Sequence, residues 1–228
     1  GQLFMSSPLE TPECINGEVD AAGLGGATLH ASRSGIACLI ADDEEEACAL
    51  AADILGFLPD NNLSSPPVEL TADDPARLNP ELTTLVPDNP NRPYDMVKVI
   101  EEIVDDGIFM ELFNSYAENI IIGFARLDGK TIGVVANQPK VLAGCLDIDA
   151  SIKAARFIRT CDAFNIPLVT FEDVPGFLPG VVQEWGGIIR HGAKLLLAYA
   201  EATVTKMTLV TRKAYGGAYL AMSCKHLQ

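Results

Sequence analysis

The sequence is poor in the residue patterns that build metal and redox centres. Its six cysteines include no Cys-x-x-Cys pair, and its three histidines lie far apart without ligand spacing. Zinc sites and thiol redox motifs usually depend on such spacings, so the sequence predicts no bound metal. The scattered cysteines are typical of reduced thiols in an intracellular protein.

Positive charge and long apolar runs are also scarce. With 16 Lys and Arg against 31 Asp and Glu, the formal net charge is -15, which argues against a nucleic-acid partner. No apolar run approaches the roughly 20 residues of a membrane-spanning helix, so we expect no direct membrane insertion. The first residues, GQLFM, show no basic signal-peptide region. We therefore expect a cytoplasmic protein, or a mitochondrial matrix protein in a eukaryote.

The composition is that of a globular chain, with 48% hydrophobic and 21% charged residues in 228. This length can bury one full core or parts of two. Eight of the 14 prolines fall between residues 59 and 93. Because proline and clustered small polar residues interrupt regular structure, this segment is predicted to be an irregular linker between two globular parts.

Hydrophobic periodicity predicts the elements on either side of this segment. Residues 44–58 and 94–104 have helical spacing, the first with acids in its first turn. Residues 119–126 and 130–137 read as strands joined by Asp128-Gly129, a hairpin signal. A helix capped by Asp149 follows.

Further elements complete an α/β pattern. Residues 167–171 read as a buried strand, 184–202 as one helix, and 206–211 as a strand. The last strand leads through Gly216-Gly217 to a small-residue helix start near Ala218. Glycines permit a sharp turn, and the amides at a helix N-terminus favour negative charge. This turn could therefore stabilise an oxyanion with backbone groups alone.

A series of motifs occurs in order along the second half of the chain. They are residues 137–139 (NQP), 143–147 (AGCLD), 161–167 (CDAFNIP), 173–180 (DVPGFLPG), 186–194 (GGIIRHGAK) and 212–219 (RKAYGGAY). Together they resemble the carboxyltransferase (β) subunit of biotin-dependent acyl-CoA carboxylases, of the propionyl-CoA carboxylase and methylmalonyl-CoA carboxyltransferase type. The resemblance extends from about residue 17 to residue 226.

The resemblance implies a crotonase/ClpP-like superhelix of ββα units, with parts of two tandem domains. Residues 1–58 would be the C-terminal part of the N-domain, 59–93 the Pro-rich linker, and 94–228 the N-terminal part of the C-domain. It places a second oxyanion hole, for the thioester, upstream of residue 1. A ClpP-type protease shares the fold, but the sequence shows no Ser/His/Asp set in a supporting context.

The implied reaction is carboxyl transfer between N1′ of biotin and the α-carbon of a short-chain acyl-CoA. Biotin would be carried covalently on a partner, a biotin carboxyl carrier or biotin carboxylase subunit, and acyl-CoA would be the substrate. In the family two oxyanions need backbone amides, and no side-chain base is required. The subunits are expected to form a homo-oligomer, a hexamer for the full-length protein, with contacts on the helix at 184–202.

The resemblance also assigns site residues. Gly217 and Ala218 would form the oxyanion hole for the biotin carbonyl. The residues expected to contact the substrates are Gly176, Phe177, Ala143, Gly144 and Leu220. Leu220 occupies the position that faces the acyl group, and the others would form walls of the pocket.

Other interpretations remain open. Glu172, Asp173 and Glu184 could suggest acid–base chemistry, although their spacing shows no special pairing. Three basic residues of the 184–202 helix could face a CoA phosphate or a neighbouring subunit: Arg190, His191 and Lys194. For the whole chain, the alternatives are a decarboxylase subunit of a sodium-pump complex, which uses the same site in reverse, and a non-catalytic fragment.

Overall fold

The computed structural model describes residues 1–6, 20–222 and 225–227. Within them lies a five-stranded sheet in the order β1-β2-β3-β4-β5. The strands are β1 (Phe109–Leu112), β2 (Ile120–Leu127), β3 (Lys130–Asn137), β4 (Leu168–Val174) and β5 (Lys206–Ala214). Strands β1 to β3 are antiparallel, whereas β3, β4 and β5 run parallel.

Helices fill the connections between the strands. The α-helices are α1 (Ala21–Gly25), α2 (Ala27–Leu29), α3 (Glu44–Leu55), α4 (Leu82–Leu85), α5 (Met96–Ile103), α6 (Ile148–Ala163), α7 (Val181–Gly186), α8 (Ile188–Glu201) and α9 (Gly216–Ala221). Short helical turns of other types lie at His30–Ser34, Asp105–Gly107, Leu142–Gly144 and Lys225–Leu227. The described helices include none that is both long and apolar enough to cross a membrane.

The predicted hairpin is confirmed. Asp128 and Gly129 connect β2 to β3 with φ values of 54° and 74°. Two consecutive positive φ values are typical of the type I′ turn, whose twist matches that of the flanking strands. Strand β1, which the sequence did not indicate, pairs with β2 beside this hairpin.

The sheet separates two layers of apolar side chains. On one face α5 packs Met96 and Ile100 against the sheet, in a cluster that includes Phe171 of β4. On the other face α6 packs against β2 and β3, and α9 packs against β4, with Leu195 of α8 and Ala218 of α9 in the same buried cluster. Every residue of β4 is buried, which confirms the predicted buried strand and extends it to Val174.

Helix α6 begins two residues earlier than the sequence suggested. Asp147, and not Asp149, is its N-cap, because the Asp147 Oδ1 atom accepts a hydrogen bond from the Ala150 N–H at 2.9 Å. Asp149 lies inside the first turn, where its charge is favourable to the helix dipole.

The single helix expected at 184–202 is two helices. Gly187 has φ 89°, a left-handed conformation that ends α7 and precedes α8. The apolar spacing continues across this break, so periodicity alone could not reveal it.

The segment at 59–93 is mostly turns with the short helix α4, as the sequence predicted. It is packed against the sheet: the Glu69 N–H donates to the Gly129 carbonyl at 2.9 Å. Before it, the Phe57 ring at the end of the N-terminal segment stacks on Phe124 of β2 with 5.6 Å between centroids.

A buried lysine connects α6 to the turns before β2. The Lys153 Nζ atom donates to the carbonyls of Phe113 (2.9 Å), Tyr116 (2.7 Å) and Ile120 (2.8 Å), with Ala117 at 3.4 Å. Burial lowers the pKa of Lys153 to about 8. The buried ammonium group thus holds α6 against these turns with four hydrogen bonds, two of them to carbonyls that also accept a backbone N–H, those of Phe113 and Ala117.

Candidate functional site

The candidate site lies where β5 passes into α9. Gly216 begins the helix with φ 61°, a conformation that favours glycine, and Tyr215 precedes it without a side-chain cap. The Tyr215 N–H donates to the Val174 carbonyl at 3.1 Å and fixes the start of the turn. The predicted strand and helix are both confirmed, although the helix begins at Gly216 and not at Ala218.

The first amides of α9 have no hydrogen-bond acceptor within the described part of the protein. The first N–H groups of any helix lack an intrahelical acceptor. Within the described residues, the amides of Gly217 and Ala218 donate no hydrogen bond to the protein. Because the helix dipole adds partial positive charge at the same end, the two N–H groups can stabilise an oxyanion.

A groove of about 360 Å³ adjoins Gly217, whereas Ala218 is fully buried and is not among the residues that line it. Its lining residues are Phe177, Glu184, Ile188, Ile189, Gly192, Ala193, Leu196, Gly217 and Ala221. The structure therefore brings Gly217 and Phe177 together, two residues that the sequence assigned to one site. A Cβ built on Gly217 would lie 4.0 Å from the Phe177 ring, and one on Gly192 would lie 2.9 Å from it. The absence of side chains at these glycines leaves the space beside the ring open.

The loop that carries Phe177 is held by a short parallel bridge to the loop before α6. The Leu146 N–H donates to the Gly176 carbonyl at 3.1 Å, and the Leu178 N–H donates to the Leu146 carbonyl at 2.7 Å. Gly176 contributes this backbone support, while Phe177 supplies the wall of the groove. The direct contact predicted between Gly176 and a substrate stays a prediction.

Ala143 and Gly144 lie in a tight turn with three consecutive positive φ values: 49° at Leu142, 55° at Ala143 and 79° at Gly144. Gly144 is buried, and a Cβ there would lie 2.6 Å from the Asp173 carbonyl oxygen. Ala143 is exposed. Neither residue lines the groove beside Phe177, and their assignment to the pocket wall remains untested.

Leu220 has 46% of its surface exposed and is not among the residues that line the groove. It lies on α9, three residues after Gly217. Its assignment to the acyl group remains a prediction.

The acidic residues of this region have three different environments. Asp173 is buried and accepts from the Arg212 Nε atom at 3.1 Å. Glu184 is exposed at the groove. Glu172 is buried with both carboxylate oxygens unpaired among the described residues, and burial raises its pKa to about 8. The burial of Glu172 was not predicted, although its position inside an apolar strand is a signal for it.

The basic residues of α8 face solvent. The Lys194 Nζ atom lies 3.2 Å from His191 Nδ1, and Arg190 Nη2 lies 3.4 Å from His191 Nε2. Partial desolvation, together with the charges of Lys194 and Arg190, lowers the pKa of His191. The structure does not bring these side chains into the groove.

An exposed apolar patch lies on α7 and the start of α8, next to the groove. It consists of Val182, Trp185 and Ile189, which are 80%, 88% and 81% exposed. Large apolar side chains grouped at a surface commonly mark a site of protein association.

In the described ranges, no cluster of three or more His, Cys, Asp or Glu residues could hold a metal ion.

Comparison with known proteins gives a consistent result. The carboxyl transferase domain family matches residues 1–228. The chain is 57% identical over 226 residues to the propionyl-CoA carboxylase beta chain of Roseobacter denitrificans, and 56% identical over 226 residues to the methylmalonyl-CoA decarboxylase subunit alpha of Veillonella parvula. Each alignment covers 99% of this chain and 44% of the relative. The chain thus spans less than half the length of these curated relatives.

Solved structures show the same fold. Transcarboxylase 12S, described as a hexamer assembly with hydrolysed methylmalonyl-coenzyme A bound, superposes with a TM-score of 0.96 at 49% identity, covering 99% of this chain and 45% of that one. A single-chain, multi-domain long-chain acyl-CoA carboxylase superposes with a TM-score of 0.83 at 28% identity, covering 97% of this chain and 21% of that one. The mixed sheet with its helices is therefore the crotonase-like α/β fold that the sequence predicted.

Proposed function

The chain belongs to the carboxyl transferase domain family, and from this premise we propose that its parent protein transfers a carboxyl group between N1′ of carboxybiotin and the α-carbon of a short-chain acyl-CoA. The acyl-CoA would be of the propionyl-CoA or methylmalonyl-CoA type, as the names of the relatives suggest. The observation that carries the proposal is the unpaired amide of Gly217 on the apolar groove, followed in α9 by the unpaired amide of the buried Ala218.

The groove fits the biotin ring system chemically. Biotin offers a small, largely apolar bicycle with one carbonyl oxygen, and the groove offers an aromatic wall beside the unpaired N–H of Gly217. Phe177 would contact the ring face, while Gly217 and Ala218 would hold the carbonyl oxygen. When bound, carboxybiotin supplies the carboxyl group that is transferred.

The backbone amides suit the electrostatic demand of this reaction. Carboxyl transfer places negative charge on an oxygen, and preorganised N–H donors stabilise such charge without rearranging. The amides lie at a helix N-terminus, which adds the helix dipole. Ala218 is buried in the hydrophobic core, and Gly217 lines the groove. The two residues therefore lie where the core meets the groove. The acidic side chains nearby need not act as bases.

The other half of the site, for the acyl-CoA, would lie outside this chain. We propose that residues 1–58 end an N-domain, that 59–93 form a linker, and that 94–228 begin a C-domain. In this arrangement the N-domain of one subunit faces the C-domain of another in a hexamer. The exposed patch of Val182, Trp185 and Ile189 beside the groove would contribute to that subunit contact.

The remaining partners follow from the same proposal. Biotin would arrive on a carrier subunit or a biotin carboxylase subunit, and the groove must therefore stay accessible in the assembly. We place the protein in the cytoplasm, or in the mitochondrial matrix of a eukaryote. A mitochondrial relative from Sus scrofa is 54% identical over 225 residues.

A second candidate is a decarboxylase subunit that moves the carboxyl group from an acyl-CoA to biotin. The 56% identity to the Veillonella parvula methylmalonyl-CoA decarboxylase subunit favours it. Both candidates use the same amides, because the transfer is the same reaction run in opposite directions. They differ in their partners: a decarboxylase of this kind would be recovered with a membrane subunit.

A direct experiment uses the full-length protein purified with its partners. Methylmalonyl-CoA labelled in its free carboxyl group is incubated with the enzyme and with free biotin or the biotinylated carrier. We expect the labelled carboxyl group to move to biotin, which leaves propionyl-CoA, and to return when unlabelled propionyl-CoA is added, which forms labelled methylmalonyl-CoA again. A folded, assembled protein that transfers no label in either direction would leave only the non-catalytic interpretation. Recovery of a membrane subunit would favour the decarboxylase.

A further inference from the structure

Strand β5 changes register just before it reaches the turn. Glu172 of β4 is paired with Val210, whereas Val174 is paired with Ala214. Asp173 alone therefore faces residues 211–213 of β5, which form a bulge. Bulges of this kind bend a strand and change the direction of the residues after it, and they occur frequently beside active sites.

The Asp173 carboxylate fills this bulge. One oxygen accepts from the Lys213 backbone N–H at 3.1 Å, and the other accepts from the Arg212 Nε atom at 3.1 Å. Asp173 is buried and the Arg212 side chain nearly so. The Asp173 N–H is held in turn by the Asn137 Oδ1 atom at 3.2 Å, at the end of β3.

Arg212 extends this network to the segment before α5. Its Nη1 atom donates to the carbonyls of Asn89 and Arg92, both at 3.0 Å, and its guanidinium group lies 4.9 Å from the centre of the Tyr94 ring. The Tyr94 hydroxyl also lies 2.9 Å from Thr211 Oγ1, inside the bulge. One side chain thus ties the Pro-rich segment, the bulge and the carboxyl end of β4 together.

Only two residues separate Arg212 from Tyr215, which starts the turn that presents the Gly217 and Ala218 amides. Tyr215 is itself bonded to Val174, the residue after Asp173. The bulge therefore determines the position and the direction in which the chain enters the turn. An error of about 1 Å in the position of reacting groups can cost roughly 100-fold in rate.

We propose that Arg212 and Asp173 are positioning residues of the carboxyl-transfer site, which fix the bulge of β5 and through it the direction of the Gly217 and Ala218 amides. The proposal rests on the proposed function for its kinetic consequence, and on the hydrogen bonds of Asp173 and Arg212 for its structural one. Under this proposal, residues 87–94 hold the oxyanion hole in position through Arg212 and do not only connect two parts of the chain.

The test compares two conservative variants of the full-length enzyme. Arg212→Lys keeps the charge, but an ammonium group cannot hold the carboxylate and the carbonyls while lying flat on Tyr94. We expect kcat to fall about 10- to 100-fold while KM for the acyl-CoA stays within about twofold, since the acyl-CoA half of the site is elsewhere.

Arg126→Lys is the matched control. Arg126 also lies over an aromatic ring, 4.3 Å from the Phe57 centroid, donates to the Gly56 carbonyl and pairs with Glu69. It is near the hairpin, at the opposite end of the sheet from the turn. We expect the Tm of the Arg126→Lys enzyme to fall as much as that of the Arg212→Lys enzyme, while its kcat stays unchanged.

Hydrogen exchange supplies a readout that does not depend on catalysis. The Lys213 and Tyr215 amides are bonded within and after the bulge, so Arg212→Lys should speed their exchange by about tenfold or more, whereas Arg126→Lys should not. Normal kcat in folded Arg212→Lys, or an equal loss of kcat in Arg126→Lys, would overturn the positioning role.

If the wild-type enzyme transfers no carboxyl group, the proposed function fails and the exchange data alone decide the inference. Faster exchange confined to Arg212→Lys would then support the brace, and unchanged exchange would refute it.

Discussion

Gly217→Val is the sharpest test of the proposed oxyanion hole, because the structure separates its effect on the groove from its effect on the backbone. The φ angle of Gly217 is not in the left-handed region, and a Cβ there meets only the Phe177 ring, at 4.0 Å. This is ordinary van der Waals contact, so the turn can accept a side chain without strain. The added methyl groups would instead project into the groove beside the amides.

The size of the effect follows from the chemistry of the site. A valine side chain between the Gly217 amide and Phe177 would keep a ligand oxygen from reaching the donor. Loss of one oxyanion-hole donor typically costs about 3 kcal/mol of transition-state stabilisation, which is roughly 100-fold or more in rate. Acyl-CoA binding, which we assign to another domain, should change little.

The assay is carboxyl transfer by the full-length enzyme, accompanied by a melting curve. Gly216→Ala provides the contrast: its φ of 61° is left-handed although nothing lies within 4 Å of an added Cβ. It should lower stability by about 1–2 kcal/mol, while Gly217→Val melts near the wild type. Near-normal transfer by a well-folded Gly217→Val enzyme would rule out the role assigned to this amide.

Three further predictions concern groups away from the amides. Burial raises the pKa of Glu172 from about 4.5 in the unfolded chain to about 8 in the folded protein. Its contribution to the free energy of unfolding is therefore fully present below about pH 4.5 and is lost as the pH rises to about 8. Denaturant unfolding from pH 5 to 9 should show the free energy of unfolding falling with pH, and Glu172→Gln should reduce this fall. An unchanged pH dependence in Glu172→Gln would contradict the raised pKa of Glu172. Lys153→Met should lower the free energy of unfolding by about 3 kcal/mol or more, because the hydrogen bonds from a buried ammonium group to four carbonyls are lost, while Lys140→Met at an exposed ion pair should cost about 1 kcal/mol or less. Trp185→Glu should shift the full-length protein towards smaller species in sedimentation. If the variant sediments like the wild type, the apolar patch is not part of the subunit contact.

Local signals in the sequence were sufficient for the elements that depend on neighbouring residues. Asp128-Gly129 predicted the hairpin because a type I′ turn needs positive φ at both residues. The Gly216-Gly217 pair after an apolar strand predicted the turn at the site, where Gly216 has a positive φ. By contrast, β1 has four residues, mostly half-buried, and gave no alternation to detect.

Choices between similar neighbours were less predictable. Asp147 and Asp149 are both good helix caps, and only the tertiary position of the loop decides that Asp147 reaches the Ala150 amide. The break at Gly187 is hidden because the apolar spacing continues through it. Sequence periodicity records which residues face the core, and it does not record a local change in backbone direction.

Two of the residues that line the groove were also named from the sequence. Gly217 and Phe177 were assigned by motif, and the structure places them on one groove. The support of the site could not be found in this way. Asp173 and Arg212 are 39 residues apart and meet only because β5 is displaced by a bulge, which no local pattern announces.

The order of the strands has a consequence for how the chain folds. The β2–β3 hairpin needs only a two-residue connection, whereas β4 joins β3 after a crossover that includes α6, and β5 joins β4 only after α7 and α8. Contacts between residues distant in sequence form more slowly, because a long loop must close first. We therefore expect the hairpin to be protected early during refolding and β5 to be added last. The amides at the end of β5 would then acquire their direction in the final step, so catalytic activity would recover only after the rest of the sheet is complete.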